Sequence, residues 1–268
     1  MSQPSIPFIY GIRTILEALK ADQDLQKAYL LKGASGPLFK ELEQELRKAK
    51  IQISYVPAER LQRFTSANHQ GAVAEIAPIH FASFEESVEH LLEQKTSAPL
   101  ILLLDGLTDV RNFGAVLRTA ESSGVDLVVI PQQGMAPLNR DAIKTSQGAA
   151  FSVPIAKVTH LKDAVMYLQS SGIKVLAASE KSDTSLYESD LTEAIALIMG
   201  SEERGVNPSV LKMVDATLSL PQLGQIASLN VSVACGVMLY EVIRQRKLYY
   251  LQQLLQFAQA AKANTIRI

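Results

Sequence analysis

The spacing of apolar positions along the chain changes near residue 99. Before it, helix-like and strand-like patterns alternate. "GIRTILEALKA" repeats apolar residues at helical intervals, "LQKAYLLK" reads as a strand, and "GPLFKELEQELRKAK" is an amphipathic helix. "IQISYV" and "GAVAEIA" read as further strands, which predicts a compact α/β unit over residues 8–77. "ASFEESVEHLLEQ" then reads as a helix, and "KTSAP" as a short linker. From Pro99 onward, "LILLLD", "VDLVVIP", "IKVLAAS", "AIALIMG" and "ATLSLP" are continuous apolar runs separated by helical stretches. Strands that are apolar on both faces belong to a mostly parallel sheet covered by helices on both sides. In "DVRNFGAVLRTAESSGVDLVVIP" the helix gathers Phe113, Val116, Leu117 and Ala120 on one face. The expected division is residues 1–78, an α/β unit folding on its own; residues 79–98, a helix and linker; and residues 99–268, a larger α/β domain.

In a parallel sheet, ligands gather at the carboxyl ends of the strands. Three loops there are chemically unusual: "LDGLTDVRNFGAVLR", "MGSEERGVNPSVL" and "LPQLGQIASLNVSVACGVMLYE". Each carries glycine, which lets backbone approach a ligand closely. Asn207 followed by Pro208 fits the cap and first position of a helix. Ser228 fits equally a cap for a helix starting near Leu229 or a functional hydroxyl. Asn230 then falls in the first turn of an apolar helix, where asparagine has poor propensity. Glu202 and Glu203 read first as a solvated loop pair, and Arg118 as a side chain snorkelling from a helix flank. Cys235 sits among apolar residues and reads as core, and His69 in "NHQG" as a loop residue.

Composition narrows the chemistry. The 268 residues are 47% hydrophobic, enough for a sizeable core, yet no apolar run reaches the roughly 18 residues of a membrane span. The start "MSQPSIPFIYG" lacks the pattern of a secretory signal, so a soluble cytoplasmic protein is the expectation. A single cysteine excludes an internal disulfide and a cysteine zinc site, and no metal is expected. There is no P-loop, no G-x-G-x-x-G, and no serine–histidine–acid order, so nucleotide hydrolysis and standard dinucleotide chemistry lose support. The net charge of −1 means that any nucleic-acid partner must meet local basic residues. Arg13, Arg60 and Arg63 in the first part, and Arg244, Arg246 and Lys247 after the last apolar helix, are the candidates for phosphate contacts. More often such charges are solvated surface.

Taken in order, Asn112 with Arg118, the "GSE" of Gly200 to Glu202 with Gly205, and "SLNVS" from Ser228 to Ser232 resemble the SpoU–TrmH branch of the SPOUT RNA methyltransferases. "KTSQGAAFSVPIAKV" adds to the likeness. "IYGIRTILEAL" and "HQGAVAEI" resemble the small L30e-like substrate-binding domain that precedes the catalytic domain in some members. The best resemblance is to the 23S ribosomal RNA guanosine-2′-O-methyltransferase subgroup, although Gln222 stands where methionine is common. The resemblance implies an α/β fold with a deep trefoil knot, a homodimer packed through helices beside it, and S-adenosylmethionine bound in the knot. It implies Asn112, Arg118, Glu202, Ser228 and Asn230 as catalytic residues. Arg118 is suited to phosphate and to a developing alkoxide, with Asn112 and Glu202 orienting it or the substrate. Gly200, Leu220 and Leu229 are implied as cofactor contacts made mainly through backbone. Ribosomal RNA is the implied partner. Transfer RNA as substrate, and a non-catalytic RNA-binding or assembly role on the same scaffold, are the alternatives. A folded first unit argues against the former, and the intact set of polar residues against the latter.

Overall fold

The computed structural model describes residues 8–21, 23–65, 68–76, 80–94, 97–225 and 228–265. Lys95 and Thr96 of the expected linker, Ala77 at the end of the expected last strand of the first unit, and Met1–Pro7 lie outside these residues.

The first part builds a four-stranded mixed sheet from β1 (Phe8–Tyr10), β2 (Leu25–Leu31), β3 (Gln52–Val56) and β4 (Ala72–Ile76). The order is β1-β4-β2-β3, with β4 antiparallel to both neighbours and β2 parallel to β3. Helices α1 (Ile12–Lys20) and α2 (Pro37–Lys48) bury Ile15, Leu16, Phe39, Leu42 and Leu46 against one face. The short α3 (Ala58–Gln62) places Leu61 among Tyr10, Tyr29, Val56 and Val73 on the other. The sequence pattern missed β1 and α3, because three and five residues are too few to display a period.

The second part is the expected parallel sheet. Its strands are β5 (Leu100–Asp105), β6 (Leu127–Pro131), β7 (Ile155–Val158), β8 (Lys174–Ala178), β9 (Ile195–Gly200) and β10 (Ala216–Leu218). They run parallel in the order β10-β8-β9-β5-β6-β7. Alternate side chains serve two cores. Ile101, Leu103 and Ile198 pack with Phe84 and Val88 of α4 (Phe84–Gln94) and with Val165 and Leu168 of α7 (Leu161–Ser170). Leu102, Leu104 and Leu197 pack with α5 (Val110–Ser122) and α9 (Val231–Thr265). The α5 face is the expected one: Phe113, Val116, Leu117 and Ala120 are wholly buried. Burying Phe113 alone contributes about 3 kcal/mol. Two further short helices, α6 (Arg140–Thr145) and α8 (Pro208–Leu211), follow β6 and β9. Strand β7 is the one element of this sheet that the sequence pattern passed over. It has four residues, lies at the sheet edge, and exposes Lys157 in its middle.

The two parts are joined by more than a tether. Ile9, Ile15 and Leu16 belong to the same buried cluster as Ile143, Ala150 and Phe151. The Tyr10 hydroxyl donates to Asp141 at 2.5 Å, and burial with that bond pushes its pKa up to about 12, so the link stays protonated at neutral pH. Arg140 donates to the Phe64 carbonyl at 2.7 Å. Two glycines make the fit close. A Cβ on Gly11 would lie 1.9 Å from the Lys144 ammonium, and one on Gly148 would lie 2.4 Å from Cβ of Glu17. The first unit thus packs directly on the second: its helix α1 shares a core with it.

Gly148→Ala tests this packing. Gly148 has φ of +91°, and its substitution adds a backbone-to-side-chain clash to left-handed strain. Urea unfolding should show a loss of at least about 2 kcal/mol. Gly172→Ala, at φ of +77° with open space around it, should lose only the strain, about 1 kcal/mol. Equal losses would mean that α1 does not press on Gly148.

Candidate active site

The strand order reverses between β5 and β9, which lie side by side with Asp105 opposite Gly200. Chain leaving these two strands diverges, and the crevice so formed is the usual ligand position. Asp109 caps α5 by accepting the Asn112 N–H at 2.8 Å, which sets Asn112 in the first turn, facing the crevice. After β9 the chain folds back at once. Ser201 and Gly205 exchange backbone hydrogen bonds at 3.1 and 2.9 Å, and a Cβ on Gly200 would lie 2.0 Å from the Gly205 carbonyl carbon. Only glycine fits there, and the tight turn carries Glu202 toward α5.

Glu202 closes a three-membered polar group. Its Oε1 accepts the side-chain amide of Asn112 at 2.9 Å and that of Asn230 in a shorter bond. Asn230 also donates to the Asn112 side-chain oxygen at 3.1 Å. The three residues come from the loops after β5, β9 and β10, separated by 90 and 118 positions in sequence. Both α5 and α9 begin here, so the carboxylate lies near the positive ends of two helix dipoles. The sequence expectation for Asn230 and Ser228 needs correction. Helix α9 starts at Val231, and Asn230 is its cap: Oδ1 accepts the Ser232 N–H at 3.0 Å. Ser228 lies before the helix and lines the adjoining cavity.

That cavity has a volume of about 310 Å³, within the range of small-molecule sites. The candidate cofactor residues Gly200, Leu220 and Leu229 all line it, together with Glu202 and Ser228. Leu218 and Met238 give it an apolar floor, while Ser179 and Glu180 add polar groups. Sequence reasoning missed the last two. They follow β8 directly, at the same edge of the sheet as the three loops, and strand-end position was the signal that could have found them.

Arg118 is elsewhere. It is exposed and lines a second cavity of about 350 Å³ between α5 and α1, and it makes no contact with the polar group. Neither Asn112 nor Glu202 orients it; both are engaged with each other and with Asn230. Several other expectations resolve into structure. Asn207 accepts the Ser209 N–H at 2.9 Å as the cap of α8. Cys235 is wholly buried, and burial pushes its thiol up to about 12, which removes it as a nucleophile. His69 accepts the Gly71 N–H at 3.0 Å and shapes a turn. Among the basic residues, Arg244 is bound twice to Glu241, at 2.8 and 2.7 Å. Arg246 donates to the carbonyls of Ala98, Pro99, Leu191 and Glu193. Arg246 thereby holds α9 against neighbouring segments, while the Arg244–Glu241 pair lies within α9 itself. Among the described residues, no three histidine, cysteine, aspartate or glutamate side chains converge to hold a metal.

The chain is similar to known proteins. Residues 99–240 match the SpoU rRNA Methylase family, and residues 8–82 match the family described as RNA 2′-O ribose methyltransferase substrate binding. The chain is 38% identical over 240 residues to the 23S rRNA (guanosine-2′-O-)-methyltransferase RlmB of Photorhabdus laumondii, covering 89% of this chain and 98% of that one. A crystal structure of an RNA 2′-O ribose methyltransferase superposes with a TM-score of 0.75 at 25% identity, over 89% of this chain and 88% of that one. The SpoU methyltransferase AviRb from Streptomyces viridochromogenes, in complex with AdoMet, gives 0.75 at 21% identity over 89% of each chain, a likeness of fold.

Asn230→Asp tests the polar group. Aspartate caps a helix as well as asparagine does, so α9 should remain capped. It sets a second carboxylate beside Glu202, and like charges at this distance repel. The melting temperature should therefore fall at pH 7 and recover at pH 4, where the carboxylates take up protons. Adding Glu202→Gln should restore it at pH 7. A melting temperature unchanged at pH 7 would mean that the two side chains do not meet.

Proposed function

The chain belongs to the SpoU rRNA methylase family, and from that premise we propose that it transfers a methyl group from S-adenosylmethionine to the ribose 2′-OH of a guanosine in 23S ribosomal RNA. The observation that carries the reading is the hydrogen-bonded Asn112–Glu202–Asn230 group at the edge of a cavity lined by Gly200, Leu220 and Leu229.

The cavity suits that cofactor. Gly200 admits no side chain, so backbone groups lie open to the ligand, and the apolar floor of Leu218 and Met238 suits an adenosine. Ser179, Glu180 and Ser228 offer partners for a charged amino-acid tail. Bound there, S-adenosylmethionine supplies an activated methyl carbon on a sulfonium sulfur. The chain's own task is to hold a ribose hydroxyl in line with it. Glu202 is fixed through Oε1 by two asparagine amides, which leaves Oε2 as the acceptor for that hydroxyl. Ser228 and the asparagines complete the polar surface around the ribose. Arg118 takes a backbone phosphate of the same strand. Six residues of helix place it about 9 Å beyond Asn112 along α5. A permanently charged planar donor there anchors the strand.

The same proposal includes residues 1–78 as the RNA-binding unit, residues 99–268 as the catalytic domain, a trefoil knot among the loops around the cavity, and action in the cytoplasm. It also includes a homodimer. Val233, Tyr240, Leu248, Leu251 and Leu254 are exposed along α9, a stripe of apolar surface that pairing with a second copy would cover. The likeness to a 23S rRNA methyltransferase over 89% of the chain, first unit included, favours ribosomal over transfer RNA as substrate.

Methyl transfer from tritiated S-adenosylmethionine to a 23S rRNA transcript tests the reading. The protein should transfer label. Arg118→Ala should lose roughly 10²-fold in rate through misalignment of the strand, while binding the cofactor within a few fold of the unaltered protein, because Arg118 lies outside the cofactor cavity. Near-normal turnover would remove Arg118 from the mechanism, and no transfer by the unaltered protein would overturn the function.

A further inference from the structure

The second cavity lies between the two units. One side is α5 with Arg118; the other is α1 of the first unit, with Arg13. Gln147 and Ser146, from the chain after α6, lie between them. Arg13 is exposed, and neither it nor Arg118 has a hydrogen bond or ion pair among the described residues. The third cation lining the cavity differs. Lys20 is paired with Glu17 at 2.7 Å.

Arg13 is held there by the packing of the two units. It lies one helical turn before Glu17, whose Cβ fills the space left by Gly148. It lies three residues after Tyr10, which is bonded to Asp141. The helix that carries Arg13 is thus pinned at both ends against the second unit, and the guanidinium is presented to the same space as Arg118.

We propose that this cavity is a binding site for an RNA backbone phosphate, gripped between Arg13 of the first unit and Arg118 of the second. The inference rests on the function proposed above and deepens it. The first unit contributes a positioning residue to the substrate site in the same chain, in addition to tethering RNA nearby. Two guanidinium groups converging on one anion give planar, paired donor geometry that lysine does not reproduce. Glu17, Glu41 and Glu121 also border the cavity, so it is not a broad cationic patch. Capture there relies on the two arginines, and the carboxylates disfavour a second phosphate.

The test is binding of the full-length protein to a 23S rRNA transcript across a range of salt concentrations, with methyl transfer measured in parallel. Arg13→Ala should weaken binding roughly tenfold. It should also lower the slope of log affinity against log salt by about 0.7–0.9, the loss of one phosphate contact. KM for RNA should rise with kcat changed little, and the melting temperature should stay the same. Arg13→Lys should keep the salt slope and recover part of the affinity. Lys162→Ala, a cation exposed on α7, should change none of these. Arg13→Ala with unaltered affinity and slope would overturn the site. So would equal losses in Arg13→Ala and Arg13→Lys accompanied by a lowered melting temperature, which would mark Arg13 as structural. If the unaltered protein binds RNA with an Arg13-dependent slope but transfers no methyl group, the phosphate site stands and the methyltransferase reading fails. If it transfers methyl groups with no dependence on Arg13, the reverse holds. Absence of RNA binding would overturn both.

Discussion

One carboxylate joins the loops on which the site depends. Glu202 is reached from β9 through a turn that only glycine at position 200 permits, and it accepts the amides of Asn112 and Asn230 from two other loops. Each asparagine stands in or before the first turn of a long helix, so the same bonds fix where α5 and α9 begin. Those helices in turn cover one face of the parallel sheet with Phe113, Leu117, Cys235 and Met238. Site and core are therefore set by the same geometry. The strand-order reversal opens the crevice, the glycine turn crosses it, and the carboxylate closes it.

Helix α5 links this group to the rest of the molecule. Its start carries Asn112, bonded to Glu202 at the edge of the first cavity, and Arg118 farther along faces the space shared with α1. The protein carries almost no net charge, so its hold on RNA depends on where individual cations are left without partners. Arg244 is consumed by Glu241 within α9, and Arg246 by backbone carbonyls, where it anchors the helix. Arg13 and Arg118 are not, and they come from the two different units.

The parallel sheet was legible because its strands are buried on both faces and so read as unbroken apolar runs. The α5 stripe was legible for the related reason that one face alone is buried. Short elements were not: β1, β7 and α3 give too few residues for any period to emerge. Of the candidate site, the motifs supplied the residue identities, and the structure brings Asn112, Glu202 and Asn230 into contact. Spacing itself sets Arg118 on a different face from Asn112, because six positions on a helix make about one and two-thirds turns and leave the two side chains about 120° apart. Asn230 was misjudged as a poor helix residue. Its helix starts one residue later, where the same side chain becomes a favourable cap. The packing of the first unit on the second was hidden as well, since Gly11 and Gly148 announce themselves only as turns until the side chains of Lys144 and Glu17 are seen against them.

The central claim is that the group transferred at this site goes to a ribose hydroxyl. Methylation there removes the nucleophile by which RNA cleaves itself in alkali. A 23S rRNA transcript treated with the protein and S-adenosylmethionine, then partially hydrolysed in alkali and resolved at single-nucleotide level, should show a gap after one guanosine. The gap should be missing when Asn112, Glu202 or Asn230 is replaced by alanine. A product that carries the methyl group yet cleaves normally at every position would place the modification on a base and contradict the account.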